Sequence, residues 1–192
     1  MDLQLEAEKA YRKALDAIQS DYRKAHAKAI LLADKVQACL LDFELAGKAP
    51  DDPNEDKWFY IAPYQKYAKI LKAQDLKAEP MQEARRLMAA TLTGGVIGGG
   101  AFCHYPVHGL RFYQGGSLLY YTSCCWVCGN FFVSYPDASD GAQWLGFPKD
   151  DLEKWINKLL PIPEEELKRF KAKYPDESKL NLLPTSTSLF NR

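Results

Sequence analysis

Apolar residues in the first quarter of the chain fall at Tyr11, Leu15, Ile18, Tyr22, Ala25, Ala29, Leu32, Val36, Leu40 and Phe43. The steps are of three and four residues, the repeat of one helix face, with charged residues opposite. The pattern predicts a single helix over residues 3–46, capped by Gly47 and stopped by Ala49-Pro50. Its seam is rich in alanine at the centre, so a partner helix can come close. A polar stretch follows over 51–57, then a dense apolar patch at 58–61. Tyr64, Tyr67, Ile70 and Leu71 space like the face of a second helix over 63–74. A third helix is expected over 80–92, with Pro80 in its first turn. Folded back on the first, these make a long helical hairpin, a helical region over 1–93.

The period changes after residue 100. Leu110-Arg111-Phe112-Tyr113 alternates, Gln114-Gly115-Gly116-Ser117 reads as a tight turn, and 118–124 as the return strand. A second turn over 125–130 leads to a strand over 131–135. A loop over 137–141 and a strand over 143–147 complete a small antiparallel meander. Two helices come next. Asp150 stands as the N-cap of the first, whose face carries Leu152, Trp155, Ile156 and Leu159. The second starts at Pro163 with three glutamates and ends in Lys168, Arg169, Lys171 and Lys173, an order that complements the helix dipole. The fold class expected is α+β, with a second, zinc-knuckle region over 101–175 that forms one compact unit with 1–100, and an irregular tail over 176–192.

The join between the two regions, Thr93 through Gly100, is rich in glycine. A phosphate-binding loop of the Walker kind needs a lysine there, and none is present. A dinucleotide fingerprint needs a strand before the glycines, and here a helix precedes them. The stretch is read as a connector.

Twenty-five basic residues balance twenty-five acidic ones, so net charge drives the chain toward neither nucleic acid nor anionic lipid. Between 101 and 147 the only charged residues are Arg111, Asp137 and Asp140, too few to neutralise a phosphate backbone. No apolar run is long enough to span a bilayer, and the amino terminus lacks the basic start and apolar run of a signal peptide. Five cysteines, an odd count, cannot all pair internally. These points lead to an expected reducing cytoplasm, where clustered cysteines bind metal more often than they form disulfides.

Chemistry concentrates between Cys103 and Cys128. Cys125-Trp126-Val127-Cys128-Gly129 at a hairpin tip has the form of a zinc knuckle: two sulfurs three residues apart can meet one ion where the backbone turns, and the glycine permits the turn. Cys103 and His108 lie at the start of the other hairpin arm. From Gly109 to Ser117 and from Ser117 to Cys125 the arms are equal, so the two turns are expected to meet. The expected site is a structural Zn2+ on Cys103, His108, Cys125 and Cys128, with His104 the alternative to His108. Cys124 should point to the opposite face from Cys125 and join the core. Cys39 reads as a small buried apolar residue, and His26 as a residue of a polar helix face. A redox pair is disfavoured, because Cys-x-x-Cys in such proteins opens a helix.

The run Cys103-His104-Tyr105-Pro106-Val107-His108-Gly109-Leu110-Arg111, followed by a hairpin and Cys-Trp-Val-Cys, resembles a motif pair of poorly characterised bacterial proteins. These carry Cys-x-x-Pro-x-His-Gly-Ile/Leu-Arg, then Cys-aromatic-x-Cys. The resemblance covers 103–144 and implies that Cys103, Pro106, His108, Gly109, Arg111, Cys125 and Cys128 act as a unit. The knuckles are also similar to those of zinc ribbons. The function expected is that of a non-catalytic, zinc-stabilised bacterial interaction protein. It would dock a protein partner, a toxin or effector held by an immunity or accessory protein being one form, and the first helix would offer a surface to a second copy. A metal- or thiol-dependent enzyme using Cys103, His108 and Arg111 is the other expectation.

Overall fold

The first helix, α1 (Leu3–Leu31), ends well before the expected position, and the chain continues as a strand, β1 (Lys35–Ala46). Leu32, Val36 and Leu40 are four residues apart, and a step of four fits one helical turn and two strand repeats alike. The residues between decide. Val36, Ala38 and Leu40 enter one apolar cluster, Cys39 and Leu41 another on the opposite face, which is strand alternation. Arg85 closes the helix by donating to the carbonyls of Leu31 and Ala33 at 3.2 and 3.0 Å, a cation at the negative end of the helix.

In the computed structural model, residues 3–46, 56–96, 103–136 and 142–175 are described. The expected cap at Gly47, most of the polar stretch over 51–57, the glycines at 98–100, the loop over 137–141 and the tail over 176–192 lie outside them. The second expected helix is absent. A single 3-10 turn at Ala62–Tyr64 follows β2 (Trp58–Ile61), and Gln65, in the left-handed region at φ 51°, redirects the chain into β3 (Lys66–Leu76). The third expected helix is present as α2 (Ala78–Gly94). The meander is present as β4 (His108–Gln114), β5 (Ser117–Cys125), β6 (Asn130–Val133) and β7 (Gln143–Gly146). Two helices follow, α3 (Asp151–Leu159) and α4 (Glu164–Lys173). Asp150 takes the N-cap position, although its carboxylate makes no cap bond and pairs with Lys154.

The seven strands of the described residues form one antiparallel sheet in the order β2-β3-β1-β4-β5-β6-β7. β1, from the stretch expected to be helical, pairs directly with β4. α1 and α2 pack side by side, as a hairpin would, but three strands separate them in sequence. α1, α2 and α3 cover one face and supply Ile30, Leu87, Met88, Leu92, Leu152 and Ile156 to the main core. The sheet curls toward its other face into a half-barrel. There Phe59 of β2 reaches across to Gly109 of β4, and the Tyr64 ring meets Trp144 of β7 at 5.3 Å. Arg111, the one cation of the meander, lies inside the curl. It donates to the Trp58 carbonyl at 2.6 Å and to Gln37 Oε1 at 3.1 Å, with Phe59 4.8 Å beneath its guanidinium.

Candidate functional site

One end of the half-barrel gathers three of the five cysteines. Cys103 and Cys128 are joined in a disulfide, with their Cα atoms 6.4 Å apart. Cys125 is buried and outside the disulfide, and its sulfur accepts the N–H groups of Tyr105 and Cys128, each at 3.3 Å. The turn from Trp126 to Gly129 is the one expected from Cys-x-x-Cys-Gly, and Gly129 takes φ 63°, where a side chain would be strained. Phe43, Phe170 and Tyr174 pack over this end and seal it against α4.

His108 is not with these sulfurs. In the β4–β5 pairing it stands opposite Cys124, so both point to the helix-covered face, while Cys125 points to the other. The imidazole is fully buried and both nitrogens are used. Trp126 Nε1–H can only donate, and it donates to His108 Nδ1 at 2.8 Å. His108 Nε2–H then donates to the Leu160 carbonyl at 2.8 Å. Burial lowers the His108 pKa from 6.5 to about 4, against the smaller opposing effect of the Leu160 carbonyl. As placed, Cys103, His108, Cys125 and Cys128 do not form a zinc set: two sulfurs are bonded to each other and the imidazole is on the far side of the sheet. Among the described residues no group of three or more His, Cys, Asp or Glu could hold a metal ion. The Cys103–His108 pairing needed for nucleophilic chemistry is not assembled either. Cys124 sits in the core, as alternation required. Burial pushes its thiol pKa far up, and that of Cys39, also buried, up to about 12.

His104, the alternative ligand, is on the Cys125 face, and it organises a group that the sequence reading missed. Asn130 donates through Nδ2 to the Cys103 carbonyl at 3.2 Å, which turns its Oδ1 to His104 Nδ1 at 2.7 Å. Nδ1 therefore carries the proton, and Nε2 accepts the hydroxyl of Ser123, also at 2.7 Å. The ring stacks on Trp144, with centroids 4.3 Å apart. This is the tautomer and order of a serine–histidine–amide relay. Yet Ser123 is wholly buried, and His104 and Asn130 nearly so. A nucleophile without access to substrate does no acyl transfer, and the three side chains satisfy one another's polar atoms inside the curl. Desolvation holds the His104 pKa down at about 4, although Asn130 pulls it up. Alternation contained the signal for this group: Ser123 is two residues before Cys125, and Asn130 stands directly opposite Cys125 in the β5–β6 register.

The chain matches no family model, no curated protein and no solved structure. Its function has to be argued from its own surface.

Among the described residues, the amino-terminal half of α1 is a projecting surface feature. Every residue from Leu3 to Ala14 is exposed, so the helix runs clear of the sheet before Gln19, Arg23, Ala27 and Ile30 turn inward. At about 100° per residue, Leu3, Ala7, Tyr11, Ala14 and Ile18 share one stripe, on the side away from those four. Leu3, Tyr11 and Ile18 are 77%, 70% and 62% exposed. No described helix is long and apolar enough to cross a membrane.

Proposed function

We propose that the protein is a non-catalytic interaction protein that docks a partner helix through the projecting half of α1. The half-barrel is the rigid body that carries this arm. The observation behind the reading is the apolar stripe at Leu3, Tyr11 and Ile18 on a helix exposed all round. Large apolar side chains held in water on an ordered element mark a contact surface. Ala7, Ala10 and Ala14 along the same stripe leave room for a second helix to approach closely. The test is a complex rebuilt from purified components. The double substitution Tyr11→Glu/Ile18→Glu should weaken it at least about tenfold and leave the urea midpoint of the isolated protein unchanged. No complex of either kind, with itself or with another chain, or one that the substitutions leave intact, sinks the reading.

A second reading concerns the cysteine end. The two N–H groups on Cys125 Sγ are the kind of donors that hold a thiolate, so in the reduced chain Cys103, Cys125 and Cys128 would be the donors to a structural zinc. Counting thiols separates the two states. With the disulfide in place, alkylation in denaturant without reductant should modify three cysteines, Cys39, Cys124 and Cys125, and all five only after reduction. Five modified without reductant, together with stoichiometric zinc in the native protein, would establish the zinc state.

A further inference from the structure

We infer that the partner helix is the same arm of a second copy, lying antiparallel to the first, with the two-fold axis between Ala10 and Tyr11. The inference rests on the reading of α1 as a docking arm, and it names the occupant.

The stripe is its own complement when reversed. About a midpoint between residues 10 and 11, Leu3 falls opposite Ile18, Ala7 opposite Ala14, and Ala10 opposite Tyr11. Leu3 and Ile18 thus meet at the two ends, Ala7 and Ala14 meet inside them, and at the centre each Tyr11 faces the small Ala10 of the other copy. An isologous two-fold contact requires this match of one patch with itself.

Charge selects the direction. Glu6 and Lys13 lie on one flank of the stripe and Glu8 on the other, while Arg12 falls on the side of Gln19 and Ile30. In an antiparallel pair like flanks face each other. Glu6 of one arm then approaches Lys13 of its partner, a contact that occurs twice by symmetry. In a parallel pair opposite flanks meet and set Glu6 near Tyr11, Lys13 near Ile18 and Glu8 near Leu3, with no charge matched. Glu6 also holds Lys9 within its own helix at 3.2 Å, which leaves the positions of the flanking charges unchanged.

The arm spans about 24 Å at 1.5 Å per residue, a short contact, so pairing should be reversible and concentration-dependent. Light scattering should show the mass rising from one 21.8 kDa chain toward two as concentration goes from about 5 to about 500 µM. Tyr11→Glu/Ile18→Glu should stay at one chain throughout, with its melting temperature unchanged because neither side chain belongs to the core. Orientation is read by cysteine cross-linking, since the native cysteines outside the disulfide are buried. Ala7→Cys chains mixed with Ala14→Cys chains should cross-link to each other, and Ala7→Cys chains alone should not. A single-chain mass at every concentration overturns the pairing, while the docking reading then stands or falls on the rebuilt complex with another chain. A dimer that survives the glutamate substitutions, or self-cross-linking by Ala7→Cys alone, overturns the pairing as well.

Discussion

Lowering the pH from 7 to 4 should cost the protein most of its stability, and the two buried histidines set the window. His104 and His108 have folded pKa values of about 4 against 6.5 when exposed. Between those values the unfolded chain binds a proton that the folded chain refuses, so stability rises with pH across the window. It is complete above pH 6.5 and is lost as pH falls toward 4. The shift corresponds to about 3 kcal/mol for each histidine, on the order of 6 together, comparable with the whole stability of a typical domain. For His108 burial disfavours the charged ring, and a proton on Nδ1 would also face the N–H of Trp126, donor against donor. Glu153 opposes the trend. Burial, with Asp150 nearby, raises its pKa from 4.5 to about 7, so between those values the folded chain takes the extra proton and stability falls as pH rises. It is part-exposed, so its effect is the smaller one, and Glu153→Gln removes it. Urea unfolding at pH 7, 5.5 and 4.5 should show a falling midpoint in the native chain and a steeper fall in Glu153→Gln. A midpoint in that variant that stays level from pH 7 to 4.5 would refute the account.

The same histidines show where the sequence was readable and where it misled. The meander, its Gly115-Gly116 turn, the knuckle turn, α2 and both carboxyl-terminal helices follow from period, glycine and proline placement. The faces of Cys124 and Cys125 followed from alternation. The same rule sets His108 apart from the three cysteines expected to share a zinc ion with it. Equal arms about Ser117 place Gly109 opposite Cys125, but the hairpin closes on Gln114 and Ser117, and a bulge beyond Phe112 sets His108 opposite Cys124. That shift is one of two residues and leaves every face unchanged: His108, next to the Gly109 set opposite Cys125, belonged with Cys124 on the core face in either register, and His104 reaches the cysteine face through the irregular stretch before β4. β1 was hidden differently, because its four-residue steps fit both periods and only the alternation around Cys39 separates them. β3 was hidden by being largely exposed, with little apolar contrast to carry a period of two. The curl of the sheet is a contact between Phe59 and Gly109, fifty residues apart in sequence, and no local pattern carries it. The disulfide also removes part of the case for a reducing compartment, since that case rested on cysteines without partners.

Gly109→Ala should destabilise the protein by about 3 kcal/mol, toward the upper end of what overpacking a tight core costs. The backbone there is ordinary extended strand, so the cost is one of space. A methyl group at Gly109 would collide with three atoms of the Phe59 ring, two of them at 2.7 and 2.9 Å. The ring cannot retreat easily. It is fully buried, lies under the Arg111 guanidinium and meets Tyr121 edge-on at 5.9 Å. Glycine is therefore what lets β2 fold over β4 and close the curl. Phe59→Ala alone should cost about 3–5 kcal/mol through the cavity it opens. Once the ring is gone the methyl has room, and alanine is the better strand residue by about 0.5–1 kcal/mol. In the Phe59→Ala background, Gly109→Ala should thus be neutral or slightly stabilising. The two substitutions would then be coupled by about 3 kcal/mol, the large non-additivity of residues that share one space. Urea midpoints of the native chain, both single variants and the double variant at pH 7 measure that coupling. Additive costs would mean that the two residues do not meet and that the sheet is held closed elsewhere.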